Sequence, residues 1–283
     1  MKFKINKFIA LSAIILLGAI LSGCTKKDAA QTKEQQQPEE ILGVLPGSSD
    51  DGQPDNILEY WDYLQQATEG TFSLVSHASL ATQSDSKSLT GGFFYSGTNP
   101  IEGGTVQIGN ISLSSDVSKG YMYGQVTPQG KALFGNTISL SLNPNAPGTS
   151  GKAIAAASIY IPAELTLSSP LADDVITTGT TIEWNTDRSN TRGVMILLEY
   201  DPENLENAGF AATYPNPVHK AISVADIGSY TLTYNDVSAL PNGSRITLRV
   251  ARGNYRAFNP SKSTSVYGFH AYTLVESVHT ISY

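Results

Sequence analysis

The sequence is short of cysteine and of charged side chains. It has one Cys in 283 residues, and only 15% of its residues are charged. A single Cys excludes an internal disulfide and a Cys-rich zinc site. The formal net charge of -7 argues against nucleic-acid binding, because nucleic-acid binders present a basic face. We therefore expect neither a disulfide-stabilised domain nor a nucleic-acid partner.

Catalytic motifs are also missing. The sequence contains no His-Glu-x-x-His and no Gly-x-Ser-x-Gly motif, and its four His have no metal-ligand spacing. Two acidic groups, Asp173 with Asp174 and Asp201 with Glu203 and Glu206, are most simply solvated turns. We therefore predict a protein that is not an enzyme and has no cofactor and no metal site.

Hydroxyl side chains take the place of charged ones. The chain has 31 Ser and 25 Thr, about a fifth of its residues. Hydroxyls at outward strand positions keep a β-sheet surface polar, and Thr also has a high strand propensity. With 40% hydrophobic residues the chain can still bury a core. The composition favours a folded β protein.

The first 24 residues have the features of an export signal. Three Lys lie in the first seven residues, and residues 8–21 form an apolar run that is too short to span a membrane as a helix. Residues 21–24 read Leu-Ser-Gly-Cys, which resembles the lipobox of bacterial lipoproteins. The resemblance implies that residues 1–23 are a removed signal peptide and that Cys24 is acylated, which anchors the chain in a membrane.

The residues that follow Cys24 read as a flexible tether. Residues 24–55 are polar and rich in turn formers, with little to bury. Residues 25–28, Thr-Lys-Lys-Asp, resemble the surface-export signal of Bacteroidota-type lipoproteins. Loss of the signal peptide removes three Lys and no acid, which takes the charge from -7 to -10. We expect an outer-membrane location, either periplasmic or surface-exposed.

Beyond the tether the pattern predicts an all-β fold preceded by one short helix. Residues 56–68 have helical periodicity, with a capping pair at the start. From residue 70 onward, strand-like runs alternate with turn signals such as Gly91-Gly92. Residues 138–142 alternate strictly between apolar and Ser residues, as a half-buried strand does. A sandwich or barrel is expected, since no strand–helix–strand alternation is present.

A boundary near residue 162 divides the β region. The segment 56–162 contains the helix and a first β domain, and 163–283 form a second domain. In the second domain, strand-like runs lie at 181–184, 194–200, 228–234 and 240–250. Their order resembles a fibronectin-III or immunoglobulin-like sandwich and implies that they are strands B, C, E and F. Ile246 stands where that family usually has the Tyr of the tyrosine corner.

All six Arg lie between residues 188 and 256. In the sandwich that the resemblance implies, residues 187–193 are the B–C loop and residues 252–259 the F–G loop, at the same end. Arg and aromatic residues are frequent at binding hot spots, and the Arg fork suits carboxylate, sulfate or phosphate groups. The predicted ligand-binding residues are Arg188, Arg192, Arg252, Tyr255, Arg256 and Phe258.

The remaining arginines, Arg245 and Arg249, would extend this basic face down one sheet. The alternative is that the arginines form ordinary surface ion pairs with Glu183, Asp187 and Glu199, each of which contributes little to stability.

These patterns predict a lipid-anchored protein of the cell envelope that acts as a non-catalytic binding module. Its partners would be the membrane, through Cys24, and an acidic glycan, a peptide or an envelope protein. The alternative is a structural accessory subunit of an outer-membrane complex. A hydrolase is the least favoured of the three hypotheses, because no catalytic group of residues stands out.

Overall fold

The computed structural model describes residues 70–85, 87–96, 99–101, 104–116, 121–123, 128–143, 155–258 and 267–283. The predicted signal peptide, tether and helix at 56–68 lie outside the described residues.

The described residues are mostly β-strands, which confirms the all-β fold class. The strands are β1 Gly70–Ser79, β2 Lys87–Ser96, β3 Asn99–Ile101, β4 Thr105–Ile108, β5 Ile111–Asp116, β6 Tyr121–Tyr123, β7 Asn136–Asn143, β8 Ala155–Ile161, β9 Leu167–Ser169, β10 Val175–Thr177, β11 Thr181–Trp184, β12 Val194–Tyr200, β13 Val218–Val224, β14 Ser229–Thr231, β15 Arg245–Phe258 and β16 Tyr267–Ser282. Short α-helices are α1 Pro128–Lys131, α2 Ala208–Ala211 and α3 Tyr234–Val237, and 3₁₀ helices are Leu80–Asp85 and Leu205–Asn207.

Most strands join one long sheet. Its order is β13-β12-β15-β16-β1-β2-β6-β5-β4-β7-β8, with β10 also paired to β16 and β3 to β2. A second sheet has the order β14-β11-β9. Strands from both predicted domains therefore meet in the long sheet, at the pair formed by β1 and β16.

Strand β16 is the centre of this arrangement. One of its edges pairs antiparallel with all of β15, from Arg245 opposite Thr280 to Phe258 opposite Tyr267. Its other edge pairs in parallel with β1 and, further along, with β10. Its side chains alternate between the two faces, so its odd-numbered residues line the face that we call the inner face.

Two hydrophobic cores lie on the inner face. The first contains Phe72 and Leu74 of β1 with residues of β4, β7 and β8, and it also takes Tyr267 and Phe269 from β16. The second contains residues of β11, β12 and β15 and takes Val275 and Ile281 from the same strand. The first core falls mainly within 56–162 and the second mainly within 163–283, and the division into two domains stays a prediction.

A polar row crosses the inner face between the two cores. Ser76, Thr273 and Arg252 are register neighbours on β1, β16 and β15. All three hold the segment that connects β8 to β9: Ser76 Oγ donates to Glu164 Oε1 at 2.6 Å, and the Leu165 N–H donates to Thr273 Oγ1 at 3.0 Å. This row attaches the connecting segment to three neighbouring strands.

Several predicted strands are confirmed. Residues 138–142 lie in β7, with Ile138, Leu140 and Leu142 buried. The runs predicted as strands B and C coincide with β11 and β12, and Trp184 is 5% exposed, as an inward Trp should be. Local patterns were sufficient for these strands, because β7 and β11 alternate between a buried and an exposed face and β12 is a continuous apolar run that is buried on both faces.

Other local predictions were wrong. The strand expected at 228–234 ends at Thr231 and is followed by α3, because Thr233 and Asp236 form a capping box at the start of this helix. The turn expected at Gly91-Gly92 lies inside β2. A Cβ on Gly92 would lie 2.7 Å from Phe72 Cα on the neighbouring strand, so this glycine permits a close approach of β1 rather than a turn.

Candidate functional site

Arg252 was predicted to bind a ligand, but its side chain is fully buried. Its guanidinium donates to backbone carbonyl oxygens of Ala163 at 2.9 Å, Glu164 at 3.0 Å and Asn185 at 2.8 Å. It also forms an ion pair of 3.0 Å with Asp226, whose side chain is 2% exposed. The guanidinium is therefore occupied by the protein itself, and Arg252 holds the β8–β9 connection to β15.

The Asp226 carboxylate is held by two more side chains. Trp184 Nε1 donates to Asp226 Oδ1 at 2.9 Å, and Asn190 Nδ2 donates to Asp226 Oδ2 at 2.9 Å. Hydrogen bonds from several donors offset the loss of hydration that burial imposes on an ion pair. The result is a buried polar cluster that fixes the segments around 185, 190 and 226.

The expected F–G loop is also corrected. Residues 252–258 continue β15, because β16 provides a register partner for each of them. Phe258 is the last residue of this strand. Arg256 is exposed and Tyr255 is 3% exposed, on opposite faces, so the predicted residues of this segment do not share one surface.

Arg192 and Tyr255 are the predicted site residues that the structure does bring together. Arg192 Cζ lies 4.8 Å from the centroid of the Tyr255 ring, and Arg192 Nη1 donates to the Tyr255 hydroxyl at 3.3 Å. This cation–π contact fixes the half-buried guanidinium against a buried ring. Arg188 is exposed in the turn before β12.

The alternative prediction of ion pairs holds for Arg249 with Glu199, although the Arg249 side chain is only 11% exposed, and it is wrong for Asp187. Arg249 forms ion pairs with Glu199 and with Glu276, the latter at 2.7 Å. Asp187 instead accepts hydrogen bonds from the Tyr160 hydroxyl at 2.9 Å and from the Ala163 N–H at 2.8 Å. Desolvation, followed by the hydrogen bond to Asp187, raises the pKa of Tyr160.

A serine and a histidine with the spacing of a nucleophile and its base lie on β16. Ser277 Oγ is 2.7 Å from His279 Nε2, and His279 Nδ1 is 2.9 Å from the backbone oxygen of Asp174. His279 is fully buried, and desolvation lowers its pKa. Because the imidazole is enclosed, the pair holds the turn at Asp174 against β16 rather than facing a substrate.

Tyrosines gather at one end of the second core. Tyr200, the last residue of β12, is buried, and its hydroxyl donates to the backbone oxygen of Tyr214 at 3.1 Å. The two rings meet edge to face, with centroids 6.4 Å apart. Tyr214 itself is 42% exposed. The buried Tyr200 thus holds the exposed Tyr214 in place.

Two more exposed tyrosines contact each other at this end. The rings of Tyr234 and Tyr283 have centroids 5.9 Å apart and an interplanar angle of 81°, and they are 59% and 40% exposed. The Tyr283 hydroxyl donates to the backbone oxygens of Leu240 at 2.8 Å and Ser238 at 3.1 Å. We call Tyr214, Tyr234 and Tyr283 the tyrosine surface.

The three tyrosines are electrostatic neighbours. Desolvation, with additional contributions from Tyr214 and Tyr234, raises the pKa of the Tyr283 hydroxyl. The Tyr283 hydroxyl is therefore a neutral hydrogen-bonding group at physiological pH.

The tyrosine surface and the Arg192–Tyr255 contact lie at opposite ends of the same strands. Tyr200 pairs with Val218 at one end of the β12–β13 pair, and Val194 pairs with Val224 at the other. Seven paired residues correspond to about 20 Å of strand. Sequence reasoning missed the tyrosine surface because its members come from three separate segments and no local pattern connects them.

Within the described ranges, no three His, Cys, Asp or Glu side chains are placed to hold a metal ion. In the same part of the chain, no helix combines the length and the hydropathy needed to cross a membrane.

The fold thus defines an all-β protein in which the exposed tyrosines of the described residues lie at one end of the second core. No family model and no curated protein matches the chain. One solved structure, titled "Biofilm associated protein - BSP domain", is similar over 79% of this chain and 31% of that one, with 10% identity and a TM-score of 0.19. This chain therefore spans less than a third of that structure.

Proposed function

We propose that this protein is a lipid-anchored protein of the cell envelope and that its β region is a non-catalytic binding module. In this proposal Cys24 carries the acyl chains, residues 24–55 are the tether, and the tyrosine surface contacts the partner. A flexible tether of this length has a reach of about 30 Å, which is enough to hold the β region away from lipid headgroups.

The observation that carries the proposal is the exposure of three tyrosine rings that the protein also holds in place. Tyr234, the most exposed at 59%, rests against Tyr283, whose hydroxyl is fixed by two backbone carbonyls. Ordered aromatic rings give a large contact area with little loss of side-chain entropy on binding. Neighbouring exposed aromatic side chains therefore favour a binding surface over a purely structural one.

The polar side chains support binding rather than catalysis. The imidazole of the Ser277–His279 pair is fully buried. The carboxylates of Glu199 and Glu276 are both paired with Arg249. A general acid or base has to reach a substrate proton, and these groups are already occupied within the protein.

Site-specific crosslinking in intact cells tests the proposal. A photo-reactive amino acid is placed at Thr213 or Ala239, exposed positions that flank the tyrosine surface, in the full chain. Ile227, 61% exposed at the opposite end, is the matched control position. We expect a crosslinked product of higher mass from the first two positions and none from the control position.

The outcome depends on the tyrosines as well as on the crosslinker position. Adding Tyr234→Ala should remove the crosslinked product without changing the circular dichroism spectrum of the purified chain. Equal products from all three positions, or a product that survives Tyr234→Ala, would contradict a binding role for this surface. A structural accessory subunit would instead give one fixed protein partner from each position.

A further inference from the structure

We infer that the tyrosine surface binds the sugar rings of an uncharged glycan. The inference rests on the proposed function and names the class of its ligand.

The charge around the tyrosine surface is negative. The loop after β12 contributes the exposed residues Asp201, Glu203 and Glu206, and the turn before β10 contributes the exposed residues Asp173 and Asp174. The cations here are already paired: Arg245 lies 2.7 Å from Glu206 and 3.7 Å from Asp173, and Lys220 lies 4.0 Å from Asp236. A ligand that carries carboxylate, sulfate or phosphate groups would be repelled, so charge complementarity favours a neutral ligand.

The polar groups that flank the rings are uncharged. Asn235 follows Tyr234 and is exposed, and Asn216 is exposed two residues after Tyr214. Asn242 is also exposed, and its side-chain oxygen accepts a hydrogen bond from the Tyr283 N–H at 3.2 Å. Amides donate and accept hydrogen bonds, as sugar hydroxyls require. Aromatic faces beside amides match a sugar ring, which has apolar C–H faces and a polar rim.

The geometry of the rings limits the form of the glycan. Tyr234 and Tyr283 are nearly perpendicular, at 81°, so they offer no common plane. A flat, crystalline polysaccharide surface needs coplanar rings, whereas a single soluble chain can lie in the corner between two perpendicular rings. The inferred ligand is therefore a soluble neutral oligosaccharide or a free segment of a polysaccharide.

A protein partner would use this end differently. Leu205 is 92% exposed and comes shortly after Asp201 and Glu203 in the segment that follows β12. Protein interfaces bury apolar side chains at their centre, so a protein partner would be expected to cover Leu205 together with the tyrosines. A sugar chain seated on the tyrosines does not require it. Leu205→Ala therefore separates the two classes of ligand.

The test is a titration of the purified, acylated full chain. The probes are cellohexaose, maltohexaose and the hexamer of N-acetylglucosamine, with tetragalacturonic acid as the charged comparison. The detergent must contain no sugar, for example lauryldimethylamine oxide, because a glycoside detergent would compete. Saturation-transfer NMR and calorimetry measure binding.

We expect at least one neutral probe to bind saturably and the charged probe to bind at least tenfold more weakly. Tyr234→Ala should weaken binding at least tenfold, and Tyr234→Phe should retain most of it because the ring remains. Ile227→Ala and Leu205→Ala should leave binding unchanged. Absence of saturable binding by every neutral probe, or equal binding of the charged probe, overturns the inference.

The two proposals fail in different ways. If no sugar binds but the crosslinks in cells depend on Tyr234 and Leu205, the ligand is a protein, and the binding-module proposal remains. If Tyr234→Ala changes neither the crosslinks nor the titrations, both proposals fail.

Discussion

Arg252 and Asp226 form an ion pair of 3.0 Å in which the arginine side chain is fully buried and the aspartate side chain is 2% exposed. The pair joins β15 to the segment between β13 and β14, and its arginine also holds the β8–β9 connection. Arg252, which the sequence suggested as part of a basic binding surface, therefore stabilises the interior of the fold.

Arg252→Ala should destabilise the fold strongly. It leaves the Asp226 carboxylate buried without its counter-ion, which typically costs about 3–5 kcal/mol of unfolding free energy. Urea unfolding followed by circular dichroism measures the change. Arg256→Ala, at an exposed position on the same strand, is the matched control and should change stability by no more than about 0.5 kcal/mol. Equal effects of the two substitutions would contradict the assigned role.

The free energy of unfolding should also depend on pH, because of His270. Desolvation lowers the pKa of this buried imidazole from 6.5 to about 4, so the unfolded chain binds the proton first as the pH falls. The unfolding free energy is therefore unaffected by His270 above about pH 6.5. It falls between about pH 6.5 and about pH 4, by about 3 kcal/mol in total.

Urea unfolding at several pH values measures this dependence. His270→Gln should reduce the loss of stability between pH 6.5 and pH 4, whatever its effect at neutral pH. The matched control is His77→Gln, at an exposed position on β1, which should leave the pH dependence as it is. A dependence that is the same with and without the His270 imidazole would contradict the prediction.

Gly92→Ala should be destabilising although the glycine lies in a regular strand. The new Cβ would press on the backbone of Thr71 and on the ring and Cα of Phe72, which belongs to the first core. Overpacking of this kind costs about 1–3 kcal/mol. Gly209→Ala is the control, because a Cβ there meets no atom within 4 Å and Ala is the better helix former. Thermal unfolding should show a lower midpoint for the first variant only.

Cys24→Ala should abolish lipid attachment. In cells fed an alkyne analogue of palmitate, the full chain should be labelled, and the variant should not be. The variant should also leave the membrane fraction, since two or three acyl chains are needed for stable anchoring. Lys26→Ala, two residues further on, should keep both the label and the membrane location. Persistent labelling of the Cys24 variant would mean that acylation occurs elsewhere.

Sequence reasoning succeeded where a pattern is local. β7, β11 and β12 were predicted because alternation or a continuous apolar run reports burial directly. Residues 252–258 were misread because the resemblance to a sandwich placed the F–G loop there, whereas β16 supplies each of these residues with a partner strand residue. The burial of Arg252 depends on three carbonyl oxygens and a carboxylate from distant segments, which no local pattern encodes.

The shared strand β16 has a consequence for the order of folding. Gly70 pairs with Tyr267, roughly 200 residues later, so the pairing of β1 with β16 joins two segments that are far apart in the sequence. Contacts between such distant segments form slowly, because loop entropy is lost before they contribute. Neither core is complete without the side chains of β16. We therefore expect the β region to fold and unfold as one cooperative unit, with the insertion of β16 as its late, rate-limiting event.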